Sequence, residues 1–108
     1  MTGLLIRAAL ACVLACTMST AQADAQAGRA KAKMCAVCHG EFGVSVLPNA
    51  PNLAGQPAIY LAEQLKAYRS GKRSDETMSV IAKPLTDAEI ADLAAWFASI
   101  PIEAKPPK

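Results

Sequence analysis

With 108 residues, four cysteines, one histidine and a formal net charge of +2, the chain has room for one domain at most. Its Lys and Arg side chains are scattered rather than grouped, so neither nucleic acid nor an anionic membrane surface is an expected partner. The 53% hydrophobic content overstates the core, because the N-terminal segment inflates it.

Arg7 is the only charge before Asp24, and it precedes an apolar run from Ala8 to Cys16. A short polar stretch then ends in the small-x-small pattern Ala21-Gln22-Ala23, the layout of a secretory signal peptide. The apolar run is about half the length that a bilayer span needs. Residues 1–23 are therefore read as a cleaved signal peptide and 24–108 as the domain, with no transmembrane segment after cleavage. Val13-Leu14-Ala15-Cys16 also resembles a bacterial lipobox, which would make a lipidated Cys16 the first mature residue. Val13 stands where Leu is usual and a good conventional site follows, so a lipid anchor is the lesser alternative. Either route exports the domain, with the bacterial periplasm as the expected location.

The first helix is predicted from about Asp24 to Ala36, where Ala and Lys favour helix and Gly28 marks a close packing contact. It runs into Cys35-Ala36-Val37-Cys38-His39. Two thiols at this spacing can each add across one vinyl group of a haem, and the adjacent histidine then falls under the iron as an axial ligand. The pattern is the signature of c-type haem attachment. A zinc site would need four ligands, yet His39 is the only histidine and no second cysteine pair follows. A dithiol redox pair should follow a strand in a βαβ setting, whereas this one follows helical sequence. Cys12 and Cys16 lie in the signal, and a Cys35–Cys38 disulfide would close too short a loop to constrain the chain.

Glu41 to Gln56 contains Gly43, Pro48, Pro51 and Gly55 and reads as a loop able to grip a planar cofactor. A second helix is predicted after Gln56, with Pro57 in its first turn. Tyr60, Leu61, Gln64, Leu65 and Tyr68 keep helical spacing, and Gly71 is the expected stop. The charged loop from Ser70 to Glu76 leads to Met78, 39 residues after His39. Met1 and Met18 belong to the signal, and Met34 sits beside Cys35, on the wrong side of the motif to reach around a haem. Met78 is thus the expected second axial ligand, a soft thioether that raises the potential of haem iron. Its alternative role is core filling, which its neighbours Asp75, Glu76, Thr77 and Ser79 argue against. The third helix opens on a capping box, Thr86-Asp87-Ala88-Glu89, with Leu85 and Ile90 placed as a hydrophobic staple. Ile90, Leu93, Ala94 and Phe97 form its apolar stripe, Trp96 and Phe97 are read as core, and Pro101 ends it. Glu103 to Lys108 reads as a loose tail.

Taken in order, these residues resemble class I cytochromes c, especially the single-domain bacterial type near cytochrome c4 and cytochrome c553. The resemblance rests on Cys35 to Gly40, then Pro51-Asn52-Leu53-Ala54-Gly55-Gln56, Tyr60-Leu61 with Gln64-Leu65, Gly71-Lys72-Arg73, Met78, and Leu85 through Phe97. It implies an all-α class I cytochrome c fold, about three main helices around one covalently attached haem c. It also implies that the end helices cross at Gly28, facing the Trp96/Phe97 region. By the same resemblance the Pro51 carbonyl accepts the His39 ring N–H, Leu53 packs on the haem and Arg73 sits near the propionates. Cytochrome c4 proper carries two such motifs and this chain one.

The expected function is one-electron transfer through a His39/Met78-ligated haem, with both axial positions filled and no substrate site. Redox proteins such as an oxidase, reductase or dehydrogenase are the expected partners, met at the exposed haem edge. The near-neutral mature chain implies weak ionic-strength dependence of that encounter. Two alternatives stay open: a haem subunit docked on a periplasmic dehydrogenase or oxidoreductase, or a ligand-binding or peroxidatic haem protein if Met78 does not ligate.

Overall fold

The computed structural model describes residues 22–108, so the signal-peptide and lipobox readings, with Cys12 and Cys16, lie outside the described residues. Among the described residues there are helices and loops and no strand. The helices are α1 (Ala25–Lys31), α2 (Ala36–His39), α3 (Ala58–Ser70), α4 (Met78–Ala82) and α5 (Asp87–Ser99), with a 3-10 turn, Ala32–Met34, joining α1 to α2. None is long and apolar enough to cross a membrane.

The first predicted helix is thus two helices. Asp24 starts α1 as an extended N-cap whose carboxylate accepts from the backbone N–H groups of Gln26 and Ala27. The chain then tightens to three residues per turn at Ala32–Met34 before resuming. The Cys35–His39 segment then follows as α2, so a turn of tighter pitch interrupts the predicted helix. Pro57 is likewise the N-cap of α3 rather than a residue of its first turn. Gly71 ends α3 in the left-handed conformation, φ 84°, as its position implied.

The first and last helices of the described residues, α1 and α5, pack on each other, and α3 packs on α5. The capping box is complete: Glu89 N–H donates to Thr86 Oγ1 and Thr86 N–H to Glu89 Oε1, each at 3.1 Å. Leu85 and Ile90 are both buried, as a staple requires, and Leu93, Ala94, Trp96 and Phe97 complete the buried face of α5. Lys31 reaches Glu89 across the α1–α5 contact, and Arg69 reaches Asp87 from α3. The hydrogen bond from each cation holds its partner's carboxyl below the ordinary range. Both carboxylates face solvent, where such pairs contribute little to stability.

Gly28 is where α1 and α5 touch. A Cβ there would stand 1.9 Å from the Asp92 carbonyl oxygen and 2.9 Å from Trp96 Cβ, so the contact is with Asp92 and Trp96. The first clash is with backbone and cannot be relieved by a rotamer change. Gly28→Ala is therefore expected to destabilise the holoprotein by about 3 kcal/mol, the upper part of the overpacking range, read as a lower denaturant midpoint.

Candidate functional site

Between α2 and the 41–56 loop on one side and α3, α4 and α5 on the other lies a cleft with two adjoining parts. One, of about 300 Å³, is walled almost wholly by apolar groups, including Leu53, Leu61, Leu65, Ile81 and Phe97. The other, of about 430 Å³, adds polar side chains: Asn49, Asn52, Gln56, Gln64 and Arg73. His39, Leu53 and Met78 border both parts. Such a gradient suits a flat ligand with an apolar body and a charged edge.

The Cys35–His39 helical turn is held by His39 N–H donating to the Cys35 carbonyl and by Gly40 N–H donating to that of Ala36, each at 2.9 Å. It sets Cys35 and Cys38, both free thiols, on the wall of the apolar part, with Val37 exposed between them. Burial pushes the Cys35 thiol up, opposed by Lys31, which leaves little of the thiolate that a dithiol redox catalyst needs. Among the described residues, no group of three or more His, Cys, Asp or Glu side chains comes together, so a zinc ligand set is not assembled.

His39 is buried, and its Nδ1 lies 2.8 Å from the Pro51 carbonyl oxygen. A carbonyl can only accept, so Nδ1 carries the ring proton and Nε2 keeps its lone pair for a metal. The loop brings Pro51 to this place because the Gly43 carbonyl accepts from both Leu53 N–H, at 2.7 Å, and Ala54 N–H, at 3.1 Å. Gly43 has φ 75°, and a Cβ on it would stand 2.7 Å from Ala54 N and 2.9 Å from Phe97 Cδ1. Only glycine permits this approach.

Met78 is the first residue of α4, a short helix that follows the charged loop and was not among the three predicted. Cys35 borders only the apolar part of the cleft, and Pro51 and Arg73 only the polar part. Arg73 is held rather than free: its guanidinium donates to Gln64 Oε1 at 2.7 Å and lies 4.6 Å over the Tyr68 ring. Met34 also borders the apolar part, on the cysteine side and away from α4. Sequence reasoning missed Gln64 as a partner of Arg73, and Asp75, whose carboxylate accepts from the Met78 N–H at 2.8 Å. An Asp three residues before a Met at a helix start was the available signal.

This donor set fits haem c: two thiols on one wall, an imidazole nitrogen with its lone pair free, a thioether on the same cleft, and an apolar-to-polar gradient. The family model described as cytochrome c matches residues 25–101.

The chain belongs to the cytochrome c family.

Cytochromes of this family carry covalently attached haem c, and the Cys-x-x-Cys-His pattern that is the signature of such attachment stands in this chain at Cys35–His39. Cytochrome c4 of Pseudomonas aeruginosa is 47% identical over 79 residues, 73% of this chain and 39% of that protein. Cytochrome c-554(548) of Halomonas halodenitrificans is 44% identical over 79 residues, 70% of this chain and 95% of that one. A thiosulfate dehydrogenase electron acceptor of Thiomonas intermedia is 38% identical over 77 residues, 70% of this chain and 36% of that protein. Among solved structures, reduced cytochrome c4 from Pseudomonas stutzeri superposes with a TM-score of 0.69 at 38% identity, covering 73% of this chain and 46% of that one. The fold is thus the all-α class I cytochrome c fold. The chain spans about two fifths of the Pseudomonas aeruginosa cytochrome c4 sequence.

Proposed function

We propose that this cytochrome c is a one-electron carrier of the bacterial periplasm and not an enzyme, with haem c linked through Cys35 and Cys38 and ligated by His39 and Met78. The observation that carries the reading is that His39, with Nε2 free, and Met78 border the same cleft. Bound haem c supplies a ferric/ferrous couple that gains and loses one electron. The chain's own residues confine that chemistry. The Pro51 carbonyl keeps the proton on His39 Nδ1 and fixes the ring, which raises its basicity as a ligand. Leu53, Leu61, Leu65 and Phe97 exclude water from the apolar part, so little solvent must reorganise when the charge changes. Arg73, anchored by Gln64 and Tyr68, offers a fixed cation at the polar part, where carboxylates of the cofactor would lie. The cleft reaches the surface at Val37, which is 76% exposed, and this is where a redox partner would dock.

Such a partner is an oxidase, a reductase or a dehydrogenase. The Thiomonas intermedia relative, named as an electron acceptor of thiosulfate dehydrogenase, favours the dehydrogenase class and keeps a docked-subunit role in view. Potentiometric titration of the purified holoprotein followed by carbon monoxide addition tests the carrier reading. One reversible single-electron wave is expected, with a reduced spectrum that carbon monoxide leaves unchanged. Ready carbon monoxide binding by the native reduced protein would instead identify a ligand-binding or peroxidatic haem protein.

A further inference from the structure

The backbone around Met78 is tied by four hydrogen bonds, two of which join its flanks. Asp75 Oδ1 accepts from Thr77 N–H at 2.9 Å and from Met78 N–H at 2.8 Å. In return Asp75 N–H donates to Ser79 Oγ at 3.0 Å, and Ser79 N–H donates to the Asp75 carbonyl at 3.1 Å. Met78 opens α4, so its N–H has no partner within the helix and must be satisfied from outside. In an ordinary capping box, the residue three after the cap returns a side-chain bond to the cap's N–H. Counted from Asp75, which lies two residues before the N-cap Thr77, that position is Met78, whose thioether cannot donate or accept usefully at the backbone. The returning bond comes from Ser79 instead, one residue later.

We propose that Asp75 and Ser79 form a positioning clamp that fixes the Met78 backbone and thereby sets how firmly its thioether holds the iron. Asp75 acts through Met78 and touches no reacting atom. The loop before the clamp is itself anchored, with Arg73 N–H donating to the Ala67 carbonyl at 3.1 Å. The proposal rests on Met78 being an iron ligand.

The test compares native, Asp75→Ala, Asp75→Asn, Ser79→Ala and Met78→Ala holoproteins. It reads the far-red methionine–ferric-haem band, carbon monoxide binding by the reduced protein, and the thermal midpoint. Asp75→Ala is expected to lose much of the far-red band and to bind carbon monoxide with a roughly tenfold gain in affinity, with a thermal midpoint lowered by only several degrees. Asp75→Asn keeps an oxygen that accepts both N–H groups and should behave as native, while Ser79→Ala should lie between. A native band and native indifference to carbon monoxide in Asp75→Ala would overturn the proposal. So would an Asp75→Asn protein as impaired as Asp75→Ala. Should Asp75→Ala not mature, Ser79→Ala decides: partial loss supports the clamp and native behaviour removes it. A native protein without the far-red band would mean that Met78 does not ligate, a separate failure.

Discussion

Replacing Met78 with alanine is expected to abolish the far-red band of the ferric protein and to lower the reduction potential by on the order of 0.2 V. The thioether is a soft ligand that favours ferrous iron, and axial ligand choice spans about 0.8 V across haem proteins, so loss of one ligand is a large fraction of that range. The other attachments are independent of it. Cys35 and Cys38 lie across the cleft, and His39 remains locked by its 2.8 Å bond to the Pro51 carbonyl. The variant should therefore retain its haem and its reduced c-type spectrum while gaining the ability to bind carbon monoxide. Spectroelectrochemistry of native and variant proteins reads band and potential together. An unchanged band with an unchanged potential would return Met78 to the role of core filler.

Protein produced without attached haem, most simply as the Cys35→Ala/Cys38→Ala variant, is expected to lack a cooperative unfolding transition. The buried apolar set is small for a domain of this length, with Ile90 and Leu93 its only large side chains that are fully buried among the described residues. The apolar part of the cleft measures about 300 Å³. At roughly 24 cal/mol per Å³, a dry void of that size would cost about 7 kcal/mol, comparable with the whole stability of a small domain. Flooding the cleft instead would wet Leu53, Leu61, Leu65 and Phe97. Neither state leaves an adequate margin. Far-ultraviolet circular dichroism with thermal and urea titration checks this, and a sharp two-state transition of the haem-free protein would contradict it. The cofactor is on this account the largest single component of the core.

Much of the site was legible because its chemistry is written in adjacent residues. Cys35, Cys38 and His39 sit within one helical turn, so their spacing in sequence is nearly their spacing in the fold. The start of α5 was legible for the same reason, since a capping box and its staple are local devices. The break between α1 and α2 was not, because Ala32–Met34 has good helix formers and no local breaker marks the change of pitch. Helix α4 was hidden by its brevity and by polar neighbours that looked like loop but serve as caps. The Pro51 bond and the placement of Leu53 came from resemblance, and the structure supplies their cause in the Gly43 carbonyl. Arg73 borders the polar part of the cleft, and its anchors lie on α3, nine residues back at Gln64 and on Tyr68.

The contact between the end helices also imposes an order of events. Asp24 N–H donates to Asp92 Oδ1 across a separation of 68 residues, and Gly28 meets Trp96 over a similar span. Contacts so distant along the chain close late, because the loop entropy must be spent before they repay it. A chain delivered from its N-terminus presents Cys35 and Cys38 long before α5 exists to cover them. Thioether formation at these thiols would therefore have an unhindered interval in which to act, with α5 closing over a cofactor already joined.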